Sequence, residues 1–248
     1  MKSKGFTLVE MVMTIVVMGI VFLGLAGFLE LGTKGYVDSV DRQKIQNQAR
    51  FVIEKLSREI RHAVPNSFAV VTNTTSKCLN FYPIKNAGFY RLDEQNRHLE
   101  FIVDNQGSRL TDSASDRLVT NPSQISDLTS DSHSVSLAGC LSSSDSSCVE
   151  SEPGSGVYTY TVSDVFSSHS VAKRHYTYNG QVSYCITSAG LITRNGVNVG
   201  EGLDLAQSSF SYLPATLQRG GLIHLDFLFT NQDEQSFYKH DVQVLNVP

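Results

Sequence analysis

No long run of basic residues occurs in this 248-residue chain, and its formal net charge is −4. That absence leaves neither the electrostatic footprint of a nucleic-acid binder nor a polybasic patch for a membrane surface. There is no C-x-x-C and no H-E-x-x-H, and the seven histidines are scattered, so no zinc spacing is present. No serine sits in a G-x-S-x-G elbow, so a hydrolase would have to be assembled from Ser, His and Asp that are merely present. These gaps argue against an enzyme, a cofactor and a metal centre, and no catalytic residue is assigned. The aspartates Asp127, Asp131 and Asp145 lack the D-x-D-x-D-G order of a calcium loop and read as a solvated acidic surface. Cysteine is sparse: Cys78, Cys140, Cys148 and Cys185 form an even set, read as two disulfides in an exported protein and as free thiols or a metal site in a cytosolic one.

What the chain does carry is one long apolar run. From Met11 to Leu29 nineteen residues contain only Thr14 as a polar side chain, and at 1.5 Å per residue this makes about 28 Å of helix, the thickness of a hydrocarbon core. Lys2 and Lys4 precede the run, while mixed charge follows it at Glu30, Lys34, Asp38, Asp41 and Arg42. The positive-inside rule then holds the N-terminus in the cytoplasm and exports everything after Leu29. Glu10 does not fit: an ionised carboxylate in the apolar part of a bilayer costs roughly 2.5 to 3.5 kcal/mol on insertion scales unless it finds a partner. A cleaved secretory signal, with Gly24-Leu25-Ala26 as its cleavage site, and an uncut signal anchor both explain the run. Neither explains the acid.

The stretch Gly5-Phe6-Thr7-Leu8-Val9-Glu10 has a short basic leader ending in glycine, then phenylalanine, then glutamate four residues later, then the apolar run. This pattern resembles the processing site of type IV prepilins and type II secretion pseudopilins. The resemblance implies that a membrane-embedded prepilin peptidase removes Met1 to Gly5 as a leader, cutting between Gly5 and Phe6, and N-methylates Phe6. Cleavage would leave a positive amine on Phe6, one helical turn and about 6 Å from the Glu10 carboxylate. Two roles for Glu10 follow. Within one chain it faces the positive end of the helix macrodipole, worth roughly 0.3 to 1 kcal/mol; in the family, this glutamate pairs with the terminal amine of a neighbouring subunit and sets the axial register of the filament.

The resemblance further implies a transmembrane and filament-core helix over residues 6–33 in contact with membrane lipid, and a periplasmic head over 34–248 carried to the cell surface in a pilus. Its implied partners are the prepilin peptidase, other minor and major pilins, and the inner-membrane pilus assembly machinery; no nucleic acid is expected. Within the family, "QARFVIEKLSREIRHAVPNS", "VSYC" and "HDVQVLNVP" are similar to a minor pilin of mannose-sensitive haemagglutinin (MSHA) pilus systems. The head is larger than a bulk repeating subunit of that family would carry, which points to a low-copy minor subunit that starts, caps or adapts the filament. A type II secretion minor pseudopilin would share every N-terminal feature, and a pilus-borne adhesin or DNA-binding subunit would need the serine-rich loop or a tyrosine face to hold a ligand.

The fold class expected is α+β, pilin-like: a long N-terminal helix packed on a mainly antiparallel β head. After Gly35 a helical period continues through Val37, Val40, Ile45, Ala49, Val52, Ile53, Leu56, Ile60 and Val64. The other face carries Asp38 with Arg42, Glu54 with Arg58 and Lys55 with Glu59, spaced for i,i+4 pairs worth a few tenths of a kcal/mol. Pro65 ends the helix. Glycines at 19, 24, 27, 32 and 35 weaken it by about 1 kcal/mol each, either to let it melt during packing or because glycine is common in membrane helices.

Beyond Pro65 the period becomes two. Strands are expected at Phe68–Thr72, Cys78–Ile84, His98–Val103, Leu191–Thr193, Phe210–Leu213, Leu222–Phe229 and Ser236–Val247. The clearest hairpin is "RHYTYNGQVSYC", with Asn179-Gly180 as a two-residue turn of positive φ between Tyr176–Tyr178 and Val182–Tyr184. The tyrosines at 158, 160, 176, 178 and 184 read as sheet faces. Residues 121–156 are rich in Ser and Asp and too poor in apolar side chains to build a core, so they read as a surface excursion. Cys140 and Cys148 lie eight apart inside it, a loop whose closure is worth about 2.5 kcal/mol. Pairing them leaves Cys78 with Cys185 to staple two strands; the other two connectivities stay open.

Overall fold

The computed structural model describes residue 5 and residues 7–93, 95, 97–102, 115–138, 140, 148–152, 155–161, 169–216, 219–231 and 234–244. The helix runs Leu8–Arg61, 54 residues and about 80 Å. It stops where the His62 amide turns back onto the carbonyl of Glu59 and the Ala63 amide onto that of Ile60, shortly before Pro65. Its buried stripe is shorter than its periodicity: Ile45, Ala49, Val52, Leu56 and Ile60 are buried, whereas Val37 and Val40 remain exposed. Asp41 is the first helix residue that is not exposed.

Among the described residues the strands form three antiparallel sheets. In spatial order the first holds Ala69–Thr72, Ser76–Phe81, Val182–Thr187, Leu191–Arg194 and Val197–Glu201. The second holds Ser209–Leu213, Leu222–Asn231 and Glu234–Gln243. The third holds Ser134–Ser136, Arg117–Thr120, Arg174–Tyr178, Asn86–Asp93, His98–Ile102, Val157–Thr161 and Cys148–Glu150. The helix and the first two sheets share one core, in which the helix stripe meets Leu79, Phe81, Tyr184, Ile186 and Ile192 from one sheet and Ile223, Leu225, Phe227 and Phe229 from the other. The strict alternation of those last four along Leu222–Asn231 is the period-two signal of a half-buried strand. At Gly200 the helix comes so close that an added Cβ would lie 2.7 Å from Val52 Cγ2, so only glycine lets the two elements touch there.

The third sheet has its own cores, one around Tyr90, Leu99, Phe101, Leu118 and Tyr158, another where Val119, Leu128, Tyr176 and Tyr178 meet Val64 just past the helix. The serine-rich segment is part of this sheet and not a bare excursion. Its Leu128, Leu137, Cys140 and Cys148 are buried, and it supplies the short helix Ile125–Leu128 and two edge strands. Few apolar residues suffice because they line an existing core. Four tyrosines, at 158, 176, 178 and 184, are wholly buried. His175, buried on the third sheet, packs edge-on to Phe101 at 5.4 Å; burial, partly opposed by the Phe89 backbone, pulls its imidazole down to about 4.

The expected Asn179-Gly180 hairpin is absent. Arg174–Tyr178 pairs with Asn86–Asp93 and Arg117–Thr120, while Val182–Thr187 pairs with Ser76–Phe81 and Leu191–Arg194, so the two strands lie in different sheets. Both edges of each strand are already occupied, and neither Asn179 nor Gly180 has positive φ. The chain's other Asn-Gly makes the turn: Asn195 at φ 49° and Gly196 at φ 82° join Leu191–Arg194 to Val197–Glu201. The strand expected over Cys78–Ile84 is instead Ser76–Phe81, and the end of the one expected over Ser236–Val247 lies outside the described residues.

Disulfides join Cys78 to Cys185 and Cys140 to Cys148. The first pair sit directly opposite on neighbouring antiparallel strands, with Cα atoms 4.1 Å apart. All seven strands of the third sheet fall between these two cysteines in the chain.

Candidate functional site at the helix N-terminus

Thr7 is the N-cap of the helix, extended at φ −85° and ψ 150°, and its hydroxyl makes no capping bond. The helix starts through the Thr7 carbonyl, which accepts from the amides of Glu10 at 3.1 Å and Met11 at 3.3 Å. Glu10 therefore stands in the first turn, exposed, where unsatisfied N–H groups make the helix end positive. Gly5 is exposed and outside the helix. Met1 to Lys4 and Phe6, the expected leader residues and methylation site, lie outside the described residues.

The turns that follow present side chains outward on every face. Leu8 is 81% exposed, Ile15 68% and Phe28 73%, and none of the most apolar stretch is buried. The helix is long and apolar enough to cross a membrane. Its two threonines already have partners: Thr14 donates to the Met11 carbonyl at 2.8 Å and Thr33 to that of Leu29 at 2.9 Å. Bonded back to the helix, they cost little in an apolar medium. Glu10 is the group in the first turns that such a medium leaves in need of a partner.

The helix meets the head through a polar collar. Asn231 donates to Asp41 Oδ1 at 3.0 Å, Arg42 reaches Glu234 at 2.8 Å, and Lys44 lies 3.5 Å from Glu201. Arg42 thus takes a head carboxylate in place of the expected i,i+4 partner Asp38; Glu54 and Arg58 do not pair either, while Lys55 and Glu59 do, at 3.4 Å. One turn from the helix end, Glu59 accepts from the Tyr184 hydroxyl at 2.9 Å and from Arg194 Nε at 2.9 Å. Burial first, then the Glu59 carboxylate, push the Tyr184 phenol up, and the hydrogen bond to Glu59 raises Arg194. Partners 125 and 135 residues apart leave no mark on local spacing.

The loop aspartates are engaged within the chain. Burial alone would raise the Asp127 carboxyl, but the Ser123 hydroxyl at 2.7 Å and the amides of Ser123 and Gln124 hold it below the usual range. Asp131 pairs with Arg117 at 2.8 Å. Asp145 lies outside the described residues, among which no group of His, Cys, Asp and Glu is placed to hold a metal ion.

Residues 1–26 match the family described as the prokaryotic N-terminal methylation motif. The match spans the candidate leader, Glu10 and most of the apolar stretch, and leaves the head unmatched. Neither the curated proteins nor the solved structures gave a match.

Proposed function

We propose that this chain is a minor pilin: cut between Gly5 and Phe6, N-methylated on Phe6, held in the inner membrane by its helix, and drawn into a type IV pilus near the end where assembly begins. The observation that carries the reading is the methylation motif at residues 1–26 on a helix whose apolar turns stand clear of the head. That motif supports a type IV pilin-like or pseudopilin chain, and with it processing by prepilin peptidase, assembly with other pilins and a structural, non-catalytic role. A single membrane pass fits the same helix. In this reading the head is periplasmic and Glu10 pairs with the methylated amine of the neighbouring subunit as the helix leaves the lipid. The proposed MSHA-type role, close to that of the minor pilin MshO, is supported by "QARFVIEKLSREIRHAVPNS", "VSYC" and "HDVQVLNVP".

The test is the mass of the N-terminal peptide from cells. Phe6 with one added methyl is expected; an intact Met1 or a start near Gly27 would overturn the reading. Deleting the gene then separates the two machines: loss of surface pili supports the pilus, and loss of protein secretion supports a type II secretion minor pseudopilin.

A further inference from the structure

A groove of about 880 Å³ runs between the second half of the helix and the strand Glu234–Gln243. Arg50, Ser57 and Arg58 stand on its helix wall, Tyr238 and His240 on its strand wall, with the half-buried Ile53 between them. The groove is cationic: Arg50, Arg58 and Arg61 line it beside Glu54, although the chain as a whole is acidic. Arg42, Lys44 and Lys55 each reach a carboxylate within the chain, whereas among the described residues Arg50 and Arg58 reach none. Ser57 lines the same wall, 6% exposed, and its hydroxyl has no hydrogen-bond partner among the described residues.

The strand wall is also incomplete. Glu234–Gln243 is the outermost strand of its sheet, ten residues long, paired on one side to Leu222–Asn231 and, among the described residues, to no strand on the other. Such an edge offers a row of backbone donors and acceptors to an added strand. The spacings agree. Arg50 and Arg58 are eight residues apart on the helix, about 12 Å, and residues i and i+4 of an extended chain lie about 13 Å apart on one face. A lipid headgroup does not fit, because Arg50 is 21 residues beyond Leu29, about 30 Å further along the helix than the apolar run.

We propose that this groove takes an extended acidic segment of another polypeptide, which adds as a fourth strand to the outer edge of Glu234–Gln243 and turns its carboxylates toward Arg50 and Arg58. The inference goes beyond the filament role and does not depend on N-terminal processing. It is tested with the full chain in detergent micelles and a fluorescent nine-residue peptide of alternating Thr and Glu, followed by anisotropy. Binding is expected to weaken at least tenfold in R50E/R58E, and to tighten severalfold in E54Q, which removes the acid lining the groove. A peptide N-methylated at alternate backbone nitrogens keeps the charge but cannot add as a strand, and should lose binding to the same degree. No binding of the first peptide at 1 mM, equal binding of the N-methylated one, or R50E/R58E binding like the native chain at an unchanged unfolding midpoint would each overturn the proposal. The mass of the N-terminal peptide is indifferent to all three outcomes.

Discussion

From Leu8 to Val40 the helix turns its apolar side chains outward, whereas from Ile45 to Ile60 the same helix buries Ile45, Ala49, Val52, Leu56 and Ile60 against two sheets. Composition and arrangement both separate them: 4 of the 33 residues from Leu8 to Val40 are charged, against 9 of the 21 from Asp41 to Arg61. In the first half apolar residues occupy every face and even the threonines bond back to the helix, which suits a medium without water. In the second they are confined to one stripe, and charges on the other faces reach Glu234, Glu201 and Glu59. A helix apolar all round is made for lipid or for a core of other helices; a striped one is made for a head of its own.

The widest separation of the two halves should come from Glu10→Ala. Removing this carboxylate leaves the unfolding midpoint of the head unchanged, yet entry of the subunit into pili, read by quantitative immunoblot of sheared filaments, should fall at least about tenfold, the equivalent of 1.4 kcal/mol. Normal entry would reduce Glu10 to a helix-dipole residue. Next, Leu56→Ala opens a cavity in the shared core and should cost the head about 3 kcal/mol in denaturant unfolding; Ile20→Ala, made in the bare half, should cost it nothing. The third contrast lies within the head. His175 is held at about 4 when folded against 6.5 as its ordinary value, so as pH falls through this window the unfolded chain takes up the proton first and stability declines. About 2 kcal/mol should be lost between pH 6.5 and 4.5 in excess of the loss in His175→Gln, read from unfolding at each pH. The smallest effect is at the collar: Arg42 is exposed, so Arg42→Ala should move the unfolding midpoint of the head far less than Leu56→Ala does.

The helix was legible because an apolar run and a 3.6-residue period survive any context. The N-terminal pattern was legible as well, since it is contiguous in sequence. The sheets were only half legible. Leu222–Phe229 declares itself through alternation, but strands such as "NAGFYRLD" and "RLVT" are short or mixed in polarity and acquire their faces from neighbours far along the chain. The choice between two Asn-Gly pairs shows the limit most plainly. Both dipeptides can turn; Asn195-Gly196 does because a free strand edge awaited the returning chain, and Asn179-Gly180 does not because both edges beside it were taken. The Arg42–Glu234 and Glu59–Arg194 contacts depend on that same long-range assembly and had no local signature.

The bridge between Cys78 and Cys185 has a mechanical meaning. Because every strand of the third sheet lies between these cysteines, that sheet is a side loop of the chain, closed at its neck by a covalent bond. Tension entering along the helix and leaving through the final strand crosses from Ser76–Phe81 to Val182–Thr187 at the sulfur atoms and bypasses the loop. A pulled chain can therefore lose its entire third sheet without paying out any of the residues folded within it, and the load stays on the core that grips the helix.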